Sequence, residues 1–127
     1  MPPEDYMNDV QKRYFRKVLS ELEANLLQNA KGTSEAMRDL DNNVVPDPAD
    51  RASLEEEYEL ELRTRERELQ LLKKVQHALV RLAQNDYGWC EDSGEPIGVA
   101  RLIARPTATL SIESQQRREL KQKLFGD

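Results

Sequence analysis

The sequence predicts a mainly α protein: a long antiparallel two-helix coiled coil that carries a small globular knuckle and a C-terminal helix. Three observations carry that prediction. Apolar residues recur at three- and four-residue spacing along two separate stretches, each the mark of one buried helical stripe. The span from Pro48 to Asn85 contains no glycine and no internal proline. Of the 127 residues, 34% are charged and only 6% aromatic, and the mean hydropathy is −0.81, so a thick core is out of reach and a slender helical body fits better.

Residues 1–7 read as a lead-in. From about Asn8 to Leu40, Phe15, Leu19, Leu22 and Leu26 step by four, three and four and lay one stripe along a helix. Gly32 costs about 1 kcal/mol against Ala, so a bend or fraying is expected there. Asn42-Asn43 ends the pattern. The second helix carries Leu62, Leu69, Leu72, Val75, Leu79 and Leu82 and runs to about Asn85, roughly 55 Å at 1.5 Å per residue. A short polar link containing proline joins the two, so residues 8–85 should fold back into one hairpin with its tip at 41–53. Its outer faces are dense in Glu, Arg and Lys, with Glu59/Arg63 and Glu61/Arg65 at helical pairing distance.

The tip presents two carboxylates, Asp47 and Asp50. Asp47 precedes Pro48 and suits a helix N-cap, with proline at the first helical position; Asp50 falls at N3, where a carboxylate favours the helix dipole. Capping and a tip function are compatible, because capping fixes the shape that any tip function needs.

Residues 86–127 read as the knuckle and last helix. Tyr87-Gly88-Trp89 closes the long helix, Asp92-Ser93-Gly94 and Pro96-Ile97-Gly98 are turns, and Ile112 to Leu124 resumes helical character. Cys90, Ser93, Ser111 and Ser114 occupy a C-x2-C-x17-C-x2-C spacing in which only the first position is cysteine. Four cysteines so spaced indicate structural zinc. A serine hydroxyl stays protonated at neutral pH and is a poor zinc ligand, so the expectation is a degenerate, zinc-finger-like knuckle lacking zinc. Its core would then be Tyr87, Trp89, Ile97, Leu102, Ile103, Leu110 and Ile112. His77 lies about four turns before Cys90 and reads as a surface residue.

Net charge is −5, which argues against direct sequence-specific binding to DNA. One cysteine forms no internal disulfide, MPPEDYMND has neither a basic n-region nor an apolar run, and no segment approaches a bilayer span; the cytoplasm is the expected address and no membrane partner is expected. There is no nucleophile–base–acid constellation and no glycine loop for phosphate, so the chain is not expected to be an enzyme. A folded-back hairpin is expected to be a monomer.

YGWCEDSGEPIGVARLIARPTATLSIES (87–114), YMNDVQKRYF (6–15), PDPADRA (46–52) and EEEYELELRTRERELQLLKK (55–74) resemble, colinearly, the segments of the DksA/TraR family of bacterial transcription regulators, and in particular its cysteine-poor variants. The resemblance implies docking on RNA polymerase, insertion of the tip through the secondary channel, and destabilisation of promoter complexes together with ppGpp in the stringent response, repressing ribosomal RNA promoters and activating amino-acid promoters. It implies activity at the tip residues Asp47, Asp50 and Ala52, polymerase docking through Arg67, and ppGpp contact at the polymerase interface through Leu71, Lys74 and Arg105. A further family lysine is Gln115 here, with Arg117 or Arg118 nearby as substitutes. The resemblance also assigns no cofactor to the free protein. Two other classes fit parts of the sequence: a Gre-like transcript-cleavage factor, if the tip acids held magnesium, and a structural coiled-coil adaptor.

Overall fold

Among the described residues four helices form, in the order α1 (Asp9–Asn42), α2 (Pro48–Ala83), α3 (Val99–Ala104) and α4 (Ile112–Phe125). The computed structural model describes residues 5–42 and 48–126, and the side chains of α1 as far as Gly32. Among the described residues there is no strand, only an isolated antiparallel bridge between Trp89 and Pro96. The mainly α expectation holds, and both long helices lie where the periodicity put them. Gly32 does not interrupt α1. The short α3 was not expected from the sequence.

The start of α1, the end of α2 and the start of α4 show a local chemical cause in their capping contacts. Asn8 caps α1: its Oδ1 accepts from the Gln11 backbone N–H at 2.9 Å, while Gln11 Oε1 accepts from the Met7 N–H at 2.6 Å, a reciprocal arrangement close to a capping box. At the end of α2, Asn85 takes a left-handed conformation (φ 63°) and the N–H groups of Asp86 and Tyr87 turn back to the Arg81 carbonyl, satisfying carbonyls the helix leaves open. Ser111 caps α4, its Oγ accepting from the Ser114 N–H at 3.2 Å, and Gly126 ends it at φ 75°.

The chain divides into two compact units, one of Met1–Ser20 with Val75–Asp127 and one of Glu21–Lys74. In the first, the start of α1 lies beside the end of α2, so the two run antiparallel: Lys12 Nζ donates to Asn85 Oδ1 at 2.9 Å and the Phe15 and Tyr87 rings stand 5.4 Å apart. Phe15, Leu19, Val75, Leu82 and Leu102 are shut off from water. Burying a side chain of this size contributes about 1.5–3 kcal/mol. Tyr87, Ile97, Leu102 and Leu110 are buried as expected, but Ile103 and Ile112 are more than half exposed. α3 and α4 turn those two outward, because each helix has one inward face and Leu102 and Ser114 occupy it.

In the second unit Leu26 and Leu72 are the buried apolar side chains among the described residues. The positions of α2 that are not exposed include Leu54, Tyr58, Glu61, Arg65, Glu68 and Leu72, a four–three alternation that continues at Val75, Leu79 and Leu82, with Leu71, Ala78 and Arg81 flanking it. The expected stripe through Leu62 and Leu69 is therefore corrected: these are 42% and 39% exposed. Each sits one residue, about 100° of helical rotation, past a seam position that carries Glu. The pairs Glu59/Arg63 and Glu61/Arg65 do not close to within ion-pair distance. Among the described residues the ion pairs are Arg81–Glu91 and Arg118–Asp92, and His77 Nε2 lies 3.4 Å from the same Glu91 carboxylate. Pairs exposed on a helix gain little by closing.

A clasp ties the lead-in to the knuckle. The Tyr6 hydroxyl donates to the Gly88 carbonyl at 2.6 Å and accepts from the Gly98 N–H at 2.9 Å, while its ring meets Trp89 edge-on at 5.2 Å. Gly88 has φ +90°, and a Cβ there would stand 2.8 Å from Met7 Cγ, so only glycine fits without displacing Met7. Tyr6→Phe strips both backbone groups of a buried partner and is expected to lower stability by about 1–3 kcal/mol. In urea unfolding the midpoint should fall with the slope unchanged.

Candidate functional site

Three groups of residues were singled out from the sequence: the tip, a face of α2, and the knuckle. At the tip, Pro48 is the first residue of α2 and Asp50 lies in its first turn. Asp50 and Ala52 are exposed. Proline there gives up no helical hydrogen bond, and the acid sits at the positive end of the helix dipole. Asp47 lies outside the described residues.

Further along α2, Arg67, Leu71 and Lys74 follow at intervals of four and three, which sets them on one face of the helix. Arg67 and Lys74 are exposed and Leu71 is half-buried. An apolar side chain flanked by two cations suits a partner surface that is itself apolar with an acidic rim. Arg105 belongs to the other unit. It is exposed and follows α3, its N–H closing that helix onto the Arg101 carbonyl at 2.7 Å. Within its unit, then, the structure sets Arg67, Leu71 and Lys74 on one helix face, while Arg105 is part of the other unit.

On α4, Gln115 Nε2 donates to Glu119 Oε1 at 3.0 Å. Of the two neighbouring arginines, Arg118 is held by a two-pronged contact with Asp92, at 2.9 and 2.5 Å. That contact keeps the Asp92 carboxyl below the usual carboxylate range and straps the turn at 92–94 to α4. Arg117 is the exposed cation left next to it.

The knuckle closes around Cys90. Its N–H donates to the Glu95 carbonyl at 2.8 Å and its carbonyl accepts from Gly94 N–H at 2.9 Å, a tight turn that Gly94 enters at φ +74°. Cys90, Ser111 and Ser114 are buried, while Ser93 is exposed and its Oγ accepts from the Glu95 N–H. The thiol donates to Ser114 Oγ at 3.3 Å. Burial pushes the Cys90 thiol up, but the Ser114 and Ser93 hydroxyls and the Ser111 and Ser93 backbone groups together outweigh it and bring it down to about 6. A hydroxyl can turn to donate to the thiolate, so the same neighbours serve both protonation states. Beside this turn, the Arg81 guanidinium donates to the Asp86 and Trp89 carbonyls, each at 2.8 Å, and pairs with Glu91 at 3.0 Å. Sequence reasoning missed Arg81. It also took Ser111 and Ser114 only as vacated cysteine positions, although a serine just before a helical stretch, with a partner three residues on, is a cap signal.

Two family models match the chain: DnaK suppressor protein DksA, N-terminal domain, over residues 11–82, and the prokaryotic dksA/traR C4-type zinc finger over residues 85–120. The chain belongs to the DksA family. It is 44% identical over 129 residues to the RNA polymerase-binding transcription factor DksA of Caulobacter vibrioides (strain NA1000 / CB15N), covering 99% of this chain and 89% of the relative. To the factor of the same name from Escherichia coli (strain K12) it is 43% identical over 122 residues, covering 96% and 80%. The solved structure of transcription factor DksA2 from Pseudomonas aeruginosa superimposes with a TM-score of 0.87 at 44% identity, covering 97% of this chain and 94% of that one.

The zinc-finger match corrects one expectation. A C4-type zinc-finger family points to zinc binding, and the reading of this DksA-family knuckle as one to which zinc does not belong is overturned by it. The reading failed because it weighed ligand identity alone, whereas the match covers the whole knuckle around the ligands. In this chain the four positions carry one thiol and three hydroxyls, which do not by themselves supply a four-thiolate set. Among the described residues no three His, Cys, Asp or Glu side chains gather where a metal ion would sit. No step of the function is routed through the ion.

Ser114→Ala removes the nearest hydroxyl from Cys90 and is expected to raise the thiol from about 6 toward its ordinary value near 8.5. Ultraviolet titration of the thiolate reads this directly. In the native chain the thiolate fraction should fall as pH drops through about 6, and in the variant the same fall should come at higher pH.

Proposed function

We propose that this chain regulates transcription initiation by binding RNA polymerase, presenting the start of α2 through the secondary channel and, with ppGpp, destabilising promoter open complexes. One observation carries the reading: the colinear match, over nearly the whole chain, to relatives named RNA polymerase-binding transcription factors. The exposed acid at the start of α2 and the single face holding Arg67, Leu71 and Lys74 are compatible with it. In this reading Asp47, Asp50 and Ala52 act at the tip, Arg67 supports docking, and Leu71, Lys74 and Arg105 contact ppGpp once polymerase has assembled the site.

Residues 8–85 form the working hairpin, and residues 86–127 seat it. The acidic chain leaves DNA to the polymerase, acts as a monomer in the cytoplasm and catalyses nothing itself. No helix is long and apolar enough to cross a membrane among the described residues. The charge balance of the ppGpp contact is the sensitive part. Lys74 and Arg105 supply two cations, Gln115 is neutral and engaged with Glu119, and Arg118 is engaged with Asp92. Each charge-assisted bond to a phosphate is worth about 1.5–3 kcal/mol, so the alarmone response rests heavily on Lys74 and Arg105.

Initiation from a ribosomal RNA promoter, with purified polymerase and with or without ppGpp, tests the reading. The native chain should repress, more strongly with ppGpp. Asp50→Asn should still bind polymerase but lose repression, and Lys74→Ala should lose about tenfold or more in ppGpp sensitivity while keeping its alarmone-free effect. No polymerase binding by the native chain would sink the proposal. Shortened RNA from a backtracked elongation complex would replace it with a cleavage-factor role.

A further inference from the structure

We infer that residues 54–72 of α2 form a separately opening segment, and that Glu68 is the residue that keeps its closed state weak. The two units differ in what their helical seams are made of. In the unit of Val75–Asp127 and Met1–Ser20, the seam positions Val75 and Leu82 are 0% and 2% exposed and meet a dry core with Phe15, Leu19 and Leu102. In the unit of Glu21–Lys74, the four–three positions of α2 between Tyr58 and Leu72 are Glu61, Arg65 and Glu68, each half-buried, with half-buried Leu71 beside them. Three consecutive seam positions are thus charged.

Glu61 and Arg65 make no ion pair among the described residues. Glu68 is the most costly of the three. Its Oε2 is fully shielded from solvent and has no hydrogen-bond partner among the described residues. A carboxylate oxygen that gives up water and receives nothing destabilises the state that buries it. Opening the segment returns that oxygen to water, and among the described residues of this unit Leu26 and Leu72 are the buried apolar side chains whose contact it surrenders, against Phe15, Leu19, Val75, Leu82 and Leu102 at the core of the other. Val75 and its neighbours face the opposite balance. Local opening of low free energy goes with few buried apolar contacts, and between Leu54 and Leu72 only Leu72 of α2 is buried. The seam keeps an unbroken heptad spacing through the change of composition, so the helix resumes the same register each time it closes. The result is a conformational device: one unit stays folded while the other rearranges to suit what it meets.

Native-state hydrogen exchange on the intact chain, read by mass spectrometry at peptide resolution, is the test. Amides of 54–72 should exchange on the order of a hundredfold faster than those of 75–82. Glu68→Leu should slow the 54–72 amides about tenfold or more, matching release of the unpaired carboxylate, and leave 75–82 unchanged. Glu66→Leu, at an exposed position of the same helix, controls for helix propensity and should have little effect. Glu68→Gln keeps the side chain's size and removes its charge; it should slow the same amides by a smaller factor, and it decides the matter if the leucine variant self-associates. Uniform protection from 54 to 82 in the native chain would overturn the inference. So would equal effects of substitution at Glu66 and Glu68.

Discussion

Phe15, Leu19, Val75, Leu82 and Leu102 lose contact with water at one place, and everything ordered in the unit around them is arranged to keep them there. A chain with a third of its residues charged has few side chains of this kind to spend. Concentrating them gives one region a dry interior close-packed enough to hold loops of no regular structure. The knuckle profits most. Tyr87 packs its ring on Phe15 and sends its hydroxyl to the Pro106 carbonyl at 2.8 Å, and burial raises that hydroxyl's pKa so that it remains a donor at any physiological pH. The segment after α3 is thereby fixed to the same core as the helices.

Around that core the polar contacts serve geometry more than energy. Arg81 reaches three acceptors at the end of α2, and Tyr6 bridges two backbone groups of the knuckle with one hydroxyl. The Arg118–Asp92 contact is exposed and worth little as an ion pair, but its two prongs set the direction of the guanidinium. The same economy appears at Cys90, where hydroxyls that cap a helix and close a turn also supply the thiol's polar neighbours.

The unit of Glu21–Lys74 is built on the other principle. Its seam is marked by position and not by hydrophobicity, with Glu61, Arg65 and Glu68 at inward sites and Leu62 and Leu69 outside them. Such a seam specifies register while contributing little stability. Exposed leucines one step off the seam are then available to whatever the helix meets, next to the face that carries Arg67, Leu71 and Lys74.

The sequence by itself determined the two long helices, the proline-led start of α2 and the family, because these depend on periodicity, on proline's fixed backbone and on colinear motifs, all of which are local or countable. It also placed most of the knuckle core, since Tyr87, Ile97, Leu102 and Leu110 are the large apolar residues between the turns. Only the tertiary structure decided which face of α2 is inward. Leucine and glutamate one residue apart give two stripes of nearly equal merit, and the choice between them belongs to the partner helix. The clasp at Tyr6, the grip of Arg81 and the surroundings of Cys90 were invisible for the same reason. Tyr6 and Arg81 reach backbone carbonyls or N–H groups, which every residue possesses and no sequence pattern distinguishes, and Cys90 meets the hydroxyl of Ser114, 24 residues along the chain.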